Sequence, residues 1–233
     1  MARPPSDTKR YSGVFITLEG GEGSGKTTQR SRLARRLRRE GYDVVVTREP
    51  GGTPLAEQLR RIILDPTSPR THREQMHARC EALLILASRS QHVATLIRPA
   101  LEAGNIVLCD RFSDSTLAYQ GFARGLDPHA LRSIDRFATR SLSPDLTLLL
   151  DIPVAKGLAR RRRPGKAQDR LDRETRRFHE KVRRGFLRLA VREPGRITTV
   201  DAGDDPAPVA ARVATIVLAF LKRRRVRAKV SQS

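Results

Sequence analysis

The sequence predicts one α/β domain, a five-stranded parallel sheet with helices on both faces. Its 233 residues, 38% of them hydrophobic, suit a single core. Short apolar runs alternate along the chain with longer segments that have helical periodicity. The run Leu146–Leu150 (LTLLL) is nearly all apolar, as a strand covered on both faces must be. In such domains ligands bind at the carboxyl ends of the strands.

The predicted strands are short runs rich in β-branched and aliphatic residues. Each run is followed by a charged residue or a turn, and this marks the point where a buried strand leaves the core. In chain order the predicted strands are Val14–Leu18, Val44–Thr47, Ile106–Cys109, Leu146–Leu150 and Ile197–Val200.

The predicted helices carry apolar residues at helical spacing between these strands. Gly41 marks the end of the first helix, and Pro99 is expected to bend the longest one or divide it. In chain order the predicted helices are 26–40, 53–64, 73–103, 114–120, 128–141 and 206–221.

The two chain ends and one insertion are expected to lie outside the packed domain, which spans residues 13–221. Residues 1–12 are polar and are predicted to be flexible. Residues 160–172 (RRRRPGKAQDRLD) have almost no apolar side chains and are predicted to form a mobile lid. Residues 222–233 form a basic tail, either a disordered solubilising segment or an electrostatic anchor for nucleic acid.

The chain is strongly basic, with 46 Lys and Arg against 25 Asp and Glu and a net charge of +21. Arginine binds phosphate oxygens in a bidentate manner, so the charge indicates a polyphosphate substrate or nucleic acid. A basic background composition is the third explanation. Aromatic residues make up only 4%, and Trp is absent, so few side chains can stack on bases.

Neither an apolar run long enough to span a membrane nor an apolar signal core occurs in the sequence. Cys80 and Cys109 lack metal or disulfide spacing, and we expect both to be small core residues. These features predict a cytoplasmic location.

The glycine-rich segment 20–27 (GGEGSGKT) matches G-x-x-x-x-G-K-[ST] and lies between a predicted strand and a predicted helix. Backbone N–H groups of such a P-loop surround a phosphate chain. Lys26 is expected to reach the β/γ-phosphates, and the Thr27 hydroxyl to hold Mg²⁺. GTPases, ATPases and kinases all use this motif. The residues expected to bind the nucleotide are Gly20, Gly21, Glu22, Gly23, Ser24, Gly25, Lys26, Thr27 and Thr28.

Charged residues also follow the second and third predicted strands. Asp110 lies where a P-loop enzyme needs a carboxylate near its metal, and Arg111 is its neighbour. Arg48 follows the second strand and is expected to face the same crevice. Two arginines that face phosphate indicate a second anionic substrate, for which a GTPase has no need.

Five stretches of the chain resemble bacterial thymidylate kinases, in order and at the family's spacing between about Val14 and Phe220. The resemblance implies a P-loop NTP hydrolase fold and γ-phosphoryl transfer from ATP to dTMP, with Mg²⁺, in dTTP supply. It also implies a homodimer. The stretches are Phe15–Gln29 (FITLEGGEGSGKTTQ), Thr47–Thr53 (TREPGGT), Ser88–His92 (SRSQH), Asp110–Gly121 (DRFSDSTLAYQG) and Asp169–Arg170.

The resemblance implies roles for single residues around the acceptor. Glu22 would approach the 3′-hydroxyl of the sugar, and Arg48 and Arg111 would hold the phosphate. Arg89 would hydrogen-bond the thymine ring, and Tyr119 would occupy the space of a ribose 2′-hydroxyl. The residues implied for acceptor binding are Glu22, Arg48, Leu86, Arg89, Arg111, Ser115, Thr116, Tyr119 and Gln120.

Lid arginines are implied as catalytic groups because this P-loop contains no arginine of its own. Cations are needed to stabilise the negative charge that is spread over the migrating phosphoryl group. The resemblance favours Arg161, Arg163 and Arg170, while Arg160 and Arg162 remain alternatives. A solvated basic run is the other interpretation of this segment.

The sequence departs from the family at two places. Leu86 is aligned with a position where the family has Phe or Tyr, so the offset stacking of an aromatic ring is lost. The basic tail after Leu221 lies beyond the resemblance. Two alternatives therefore stay open, a related kinase with another base preference and a P-loop NTPase that binds nucleic acid.

Overall fold

The computed structural model describes residues 11–64, 76–162, 169–226 and 228. Within these residues five parallel strands form one sheet in the order β2-β3-β1-β4-β5. All five predicted strands are confirmed, and each extends one residue further than predicted, to include a charged residue at its carboxyl end. The strands are β1 Val14–Glu19, β2 Val44–Arg48, β3 Ile106–Asp110, β4 Leu146–Asp151 and β5 Ile197–Asp201.

The helices of the described residues connect these strands, and two π-helical turns interrupt them. The helices are α1 Lys26–Arg39, α2 Pro54–Leu64, α3 Ala78–His92, α4 Arg98–Glu102, α5 Ser113–Thr116, α6 Pro128–Thr139, α7 Val154–Arg161, α8 Arg176–Arg192 and α9 Pro206–Arg223. The π-helical turns are Val93–Ile97 and Leu117–Ala123.

The long helix predicted over 73–103 is divided as expected ahead of Pro99. A π-helical turn separates α3 from α4, and Pro99 lies in the first turn of α4. A proline has no N–H and clashes with the preceding turn of an α-helix, and because the backbone stays helical on both sides, the π-helical turn is what accommodates Pro99 here. His77 caps α3 by accepting a hydrogen bond from the backbone N–H of Arg79.

Helix α8 was not predicted, because its many arginines obscure the apolar pattern. Phe178, Val182, Phe186 and Leu189 nevertheless recur at helical spacing and are all buried. They pack against the π-helical turn Leu117–Ala123, so α8 supports this turn from behind. The arginines of α8 occupy its other faces.

The sheet is covered on both faces, as the apolar strands require. Helices α1 and α9 pack through Leu37, Val213 and Val217 on one face. The segment from α3 to α4 and helix α8 cover the other face. Both layers leave the carboxyl ends of the strands accessible, and the charged residues that end the strands lie there.

The two cysteines differ in their environment. Cys109 is buried in β3, as predicted, and burial raises the pKa of its thiol. The prediction for Cys80 is wrong: this residue is exposed, because it lies on the side of α3 opposite the buried Ala82. Among the described residues, none of the helices is long and apolar enough to cross a membrane.

Candidate active site

A cavity of about 960 Å³ opens at the carboxyl ends of the strands. It brings together most of the residues predicted from sequence. Those that line it are Glu22, Gly23, Ser24, Gly25, Lys26, Thr27, Thr28, Arg48, Arg89, Asp110, Arg111, Ser115, Thr116, Tyr119, Gln120 and Arg161. Gly20 and Gly21 lie at the base of the P-loop and line a small neighbouring cavity instead.

The P-loop packs directly on helix α7. A Cβ atom at Gly23 would lie 1.9 Å from the carbonyl oxygen of Gly157, and the backbone at Gly23 has a φ of 68°. Only glycine satisfies both the close approach and the positive φ. The reciprocal contact is as close, since a Cβ at Gly157 would lie 2.3 Å from the carbonyl oxygen of Glu22. The phosphate-binding loop and the helix that leads into the predicted lid therefore share one backbone contact.

Lys26 is folded back onto the P-loop. Its Nζ donates to the carbonyl oxygens of Gly20 and Gly21 at 3.0 and 2.9 Å and to Ser24 Oγ at 3.3 Å. Burial lowers the pKa of this amine, and the nearby Arg111 guanidinium lowers it further. The partners of Lys26 are neutral oxygens, which anionic phosphate oxygens can replace.

Thr27 and Asp110 form the corner predicted to hold a metal. Thr27 Oγ1 donates to Asp110 Oδ2 at 2.8 Å, at the start of α1 and the end of β3. One hydroxyl and one carboxylate fit Mg²⁺, which keeps several waters and takes phosphate oxygens as ligands. The described residues contain no cluster of three or more His, Cys, Asp or Glu suited to a metal. The donor set thus suits a metal that arrives with a nucleotide.

Arg111, Glu22 and Tyr119 form a triangle beside the P-loop. Glu22 Oε1 accepts hydrogen bonds from Arg111 Nη2 and from the Tyr119 hydroxyl, both at 2.7 Å. The Arg111 guanidinium also lies over the Tyr119 ring, with Cζ 5.0 Å from its centroid. Burial alone raises the pKa of Glu22, but Arg111 and then Lys26 outweigh it and hold the pKa at about 2. Glu22 is therefore a carboxylate throughout the physiological range.

The backbone of Arg111 has a φ of 73°, in the left-handed region. A non-glycine residue there costs roughly 1–3 kcal/mol and is found most often at functional sites. The backbone N–H of Arg111 donates to Leu18 O at 3.0 Å, and Nη1 donates to Ser115 Oγ at 3.2 Å. These contacts hold the strained backbone and direct the guanidinium into the cavity.

Glu19 lies beneath this loop and is almost fully buried. Its carboxyl group accepts from the Phe112 N–H at 2.7 Å and from Ser115 Oγ at 2.6 Å. Burial, together with the nearby Asp114, raises the pKa of Glu19 to about 7. Glu19 thus supports the segment that follows Arg111 from below. No motif indicated this supporting role, although Glu19 directly precedes the P-loop.

Arg48 and Arg60 add two cations to the lining of the cavity. Arg48 is half-exposed and donates to both carboxylate oxygens of Glu57 at 3.1 and 3.2 Å. Arg60 Nη1 donates to Pro50 O at 2.8 Å, and burial followed by repulsion from Arg48 lowers its pKa. Sequence reasoning missed Arg60, because the amphipathic pattern of α2 does not show which polar residue faces a ligand.

Arg89 also lines the cavity, with only 1% of its side chain exposed. Nε donates to Glu49 Oε2 at 2.6 Å, and Nη1 donates to Asp135 Oδ1 at 2.7 Å. Glu49 is itself held by His92 Nδ1 at 3.1 Å. A buried cation needs such partners, and two carboxylates provide them.

The prediction that Leu86 lines the acceptor pocket is wrong. Leu86 is buried in the protein interior and is absent from the cavity wall, whereas Ile85 lines it. Ile85 and Leu86 lie four and three residues before Arg89, so both are about one turn away, and the packing of α3 on its neighbours decides that Ile85 faces the cavity. Ile85 thus contributes apolar surface to the cavity wall one turn before Arg89.

The arginines predicted for the lid have different partners. Arg161 lines the cavity and binds Asp172, with Nε–Oδ1 at 2.9 Å. Arg160 donates to three carbonyl oxygens of residues 202–204, after β5. Arg163 lies outside the described residues. Arg160 and Arg161, which the sequence assigned to the insertion, belong to the last turn of α7.

Arg170 requires a correction. Its backbone N–H and Nε donate to Leu64 O and Ile63 O at 3.1 and 3.0 Å, and Nη2 pairs with the buried Glu81. It does not line the cavity. Its guanidinium is therefore committed to joining the end of α2 to α3, and the geometry does not support a catalytic role.

Comparison with known proteins identifies the family. The family model described as Thymidylate kinase matches residues 18–213. Thymidylate kinase from a Synechococcus strain is 52% identical over 88% of this chain and 94% of its own length. That from Thermomicrobium roseum is 52% identical over 91% of this chain and 97% of its own length.

A solved structure agrees with these relatives. The crystal structure of thymidylate kinase from Ehrlichia chaffeensis superposes with a TM-score of 0.71 at 32% identity, covering 88% of this chain and 98% of that one. The P-loop, the second cationic subsite and these matches lead to one conclusion: the chain belongs to the thymidylate kinase family.

Proposed function

We propose that the chain transfers the γ-phosphoryl group of ATP to dTMP, forming dTDP and ADP for dTTP supply, with the residues described above in the following roles. Family membership supports the reaction. The observation that carries the assignment of roles is that one cavity contains both the P-loop and a second cationic subsite. This subsite consists of Arg48, Arg60 and Arg111. No covalent intermediate is needed, since positioning and electrostatic stabilisation account for phosphoryl transfer.

The P-loop and α1 bind the triphosphate of ATP. Lys26 exchanges its carbonyl partners for β/γ-phosphate oxygens, and the loop N–H groups hold the phosphate chain at the helix N-terminus. Thr27 and Asp110 would hold Mg²⁺, which when bound supplies positive charge to the β/γ-phosphate oxygens. Arg161 and Arg163 are proposed to neutralise the charge that develops on the migrating group.

Arg111, Arg48 and Arg60 bind the phosphate of dTMP. Glu22 is ionised and fixed by Arg111 and Tyr119, so it is directed at the sugar hydroxyl rather than at the anionic phosphate. The Tyr119 ring, held in place by Glu22, excludes a 2′-hydroxyl and favours deoxynucleotides. Each role uses a side chain whose position protein contacts already set.

The base of dTMP lies against Ile85 and meets Arg89. Ser115, Thr116 and Gln120 line the same part of the cavity and complete the proposed contacts to the acceptor. Of these, Thr116 Oγ1 is buried and has no hydrogen-bond partner among the described residues, so a ligand group can satisfy it.

We also propose that the chain forms a homodimer through α2, α3 and α6. Exposed apolar side chains project from these three helices, and α3 packs against both of the others. Several exposed apolar side chains on neighbouring helices indicate an interaction site. The exposed residues are Leu55, Ile62, Leu83, Ile134 and Phe137, the last with 86% of its surface accessible. The cytoplasmic location stays a prediction.

A substrate panel tests the function. Phosphoryl transfer from ATP with Mg²⁺ is measured for dTMP, dUMP, UMP, dCMP, dGMP and thymidine, offered separately. We expect strong preference for dTMP and little reaction with thymidine, which lacks the phosphate that Arg111 binds. Preference for another monophosphate would overturn the base assignment alone. ATP hydrolysis stimulated by DNA or RNA, with no acceptor used, would instead support the nucleic-acid-binding NTPase.

A further inference from the structure

Asp135, on α6, contacts Arg89 from outside the cavity and belongs to none of the motifs. Its Oδ1 accepts from Arg89 Nη1 at 2.7 Å, and its Oδ2 accepts from Ser113 Oγ at 2.7 Å. Asp135 therefore connects Arg89 to the first residue of α5, two positions after Arg111. Its side chain is 18% exposed, so both hydrogen bonds are largely shielded from water.

The contacts of Arg89 leave one nitrogen available to a ligand. Glu49 occupies Nε and Asp135 occupies Nη1, while Phe112 packs against the guanidinium with Cζ 5.0 Å from its ring centroid. A guanidinium is planar and rigid, so two fixed N–H directions set the third. Nη2 has no hydrogen-bond partner among the described residues, and Arg89 lines the cavity.

We propose that Asp135 is a positioning residue that determines base selectivity, because it presents Nη2 of Arg89 to the acceptor as a fixed hydrogen-bond donor. This inference rests on the proposed contact between Arg89 and the base. A donor in that position suits a keto oxygen, such as O4 of thymine. An amino group at the same place, as in cytosine, would point its N–H at the N–H of Nη2. The buried Nη2 donor would then have no acceptor.

A purely structural role for Asp135 makes different predictions. Glu49 already neutralises Arg89, so the second carboxylate is not needed merely to bury one positive charge. What Asp135 adds is direction, since without it the guanidinium can rotate and offer Nη1 as well as Nη2. The removal of Asp135 should therefore weaken discrimination between bases more than it weakens folding or ATP binding.

The experiment compares Asp135→Ala, Asp135→Asn and Ser133→Ala. Asn keeps a carbonyl oxygen for Nη1 and an N–H for Ser113 Oγ, whereas Ser133 is on the same helix but outside the cavity. The kcat and KM for dTMP, the KM for ATP, the inhibition constant of dCMP and the Tm are measured for each.

We expect Asp135→Ala to raise the KM for dTMP about 10-fold and to change kcat and the KM for ATP less than 3-fold. The ratio of the inhibition constant of dCMP to the KM for dTMP should fall about 10-fold, which means that the site discriminates less between the two bases. Asp135→Asn should restore most of the discrimination, and Ser133→Ala should match the parent chain. Equal losses with all three ligands and a lowered Tm would overturn the proposal, since they indicate a structural role.

Two further variants keep the proposal testable if Asp135→Ala folds poorly. Ser113→Ala leaves the charge of Asp135 in place but frees its carboxylate, and we expect about a 3-fold rise in the KM for dTMP alone. In an Arg89→Ala background, Asp135→Ala should cause no further loss of discrimination. Additive losses would overturn the proposal. If the parent chain itself fails to phosphorylate dTMP, the proposed function falls, which is a separate outcome.

Discussion

The acceptor side and the phosphoryl-donor side of the cavity are organised differently. On the acceptor side, Glu22, Arg89 and Arg111 are each engaged by oppositely charged partners at 2.6 or 2.7 Å in buried surroundings. On the donor side, Lys26 and Arg160 are bound mainly to neutral oxygens of the P-loop and of residues 202–204. Glu22, Arg89 and Arg111 are therefore fixed by charged partners, whereas Lys26 and Arg160 can exchange theirs. Arg161 is the exception on the donor side, since Asp172 holds it.

This difference has a mechanistic consequence. Preorganised charges need no reorganisation when the transition state forms, so the acceptor side can hold dTMP at little further cost. On the donor side, phosphate oxygens can displace neutral oxygens from Lys26 because charge-assisted hydrogen bonds are stronger. ATP binding should thus rearrange its own side of the cavity and leave the acceptor side nearly unchanged.

Lys26→Ala is expected to have the largest effect and to affect the donor side alone. Loss of the cation at the β/γ-phosphates should lower kcat by ~10³-fold or more, while dTMP affinity stays within about 2-fold. Single-turnover transfer and dTMP titration by calorimetry measure the two quantities. A comparable loss of dTMP affinity would show that the two sides are not independent.

Arg161→Ala and Arg170→Ala separate a lid arginine at the cavity from one committed to the fold. We expect Arg161→Ala to lower kcat by ~10²-fold and also to lower the free energy of unfolding by about 1–2 kcal/mol, because the buried Asp172 loses its arginine partner. Arg170→Ala should lower the free energy of unfolding by about 1–2 kcal/mol, since Glu81 loses one of its partners, with a smaller effect on kcat. Steady-state kinetics distinguish the two variants, with urea unfolding to show how much of each loss is due to stability, and a larger loss of kcat in Arg170→Ala would restore Arg170 as the catalytic arginine.

Glu19→Gln tests, through the pH dependence of stability, how Glu19 supports the segment from Phe112 to Ser115. The pKa of Glu19 is raised from 4.5 to about 7, so the folded chain keeps a proton that the unfolded chain loses. The stability from this group is fully present below pH 4.5 and is lost as the pH rises through 7, by roughly 3 kcal/mol at most. Gln removes this dependence and can keep the hydrogen bonds.

The measurement for Glu19 is the free energy of unfolding of both proteins in urea between pH 4.5 and 8. The variant should show a flatter profile in this window. Parallel profiles would mean that Glu19 is ionised throughout in the folded chain.

Ile85→Phe is expected to give the smallest effect, a gain in the acceptor site. An aromatic ring on the cavity wall adds offset stacking on the base, and should lower the KM for dTMP roughly 2- to 10-fold. Leu86→Phe is the matched control, because the same ring placed in the packed interior should destabilise the fold by about 1–3 kcal/mol without lowering that KM. Equal behaviour of the two variants would contradict the placement of Ile85.

Much of the fold and of the donor side could be predicted from sequence because the signals are local. The P-loop is one continuous segment whose glycines, Lys26 and Thr27 act through neighbouring backbone. The strands were located by short apolar runs, and the charged residues that follow them, such as Asp110, lie at the cavity because parallel strands end at one edge. The resemblance then supplied roles for Arg48, Arg89 and Arg111, and all three line the cavity.

The sequence by itself determined the sheet, the P-loop and the family, because these depend on spacing along the chain. Only the tertiary structure decided which partners the site residues have. Arg89 pairs with residues 40 and 46 positions away, and Arg170 pairs with Glu81 at a separation of 89. Periodicity defines the buried face of a helix, but the packing of that helix on its neighbours decides which residue meets the ligand. For this reason Ile85 rather than Leu86 lines the cavity, and α8 emerged only from its buried apolar face.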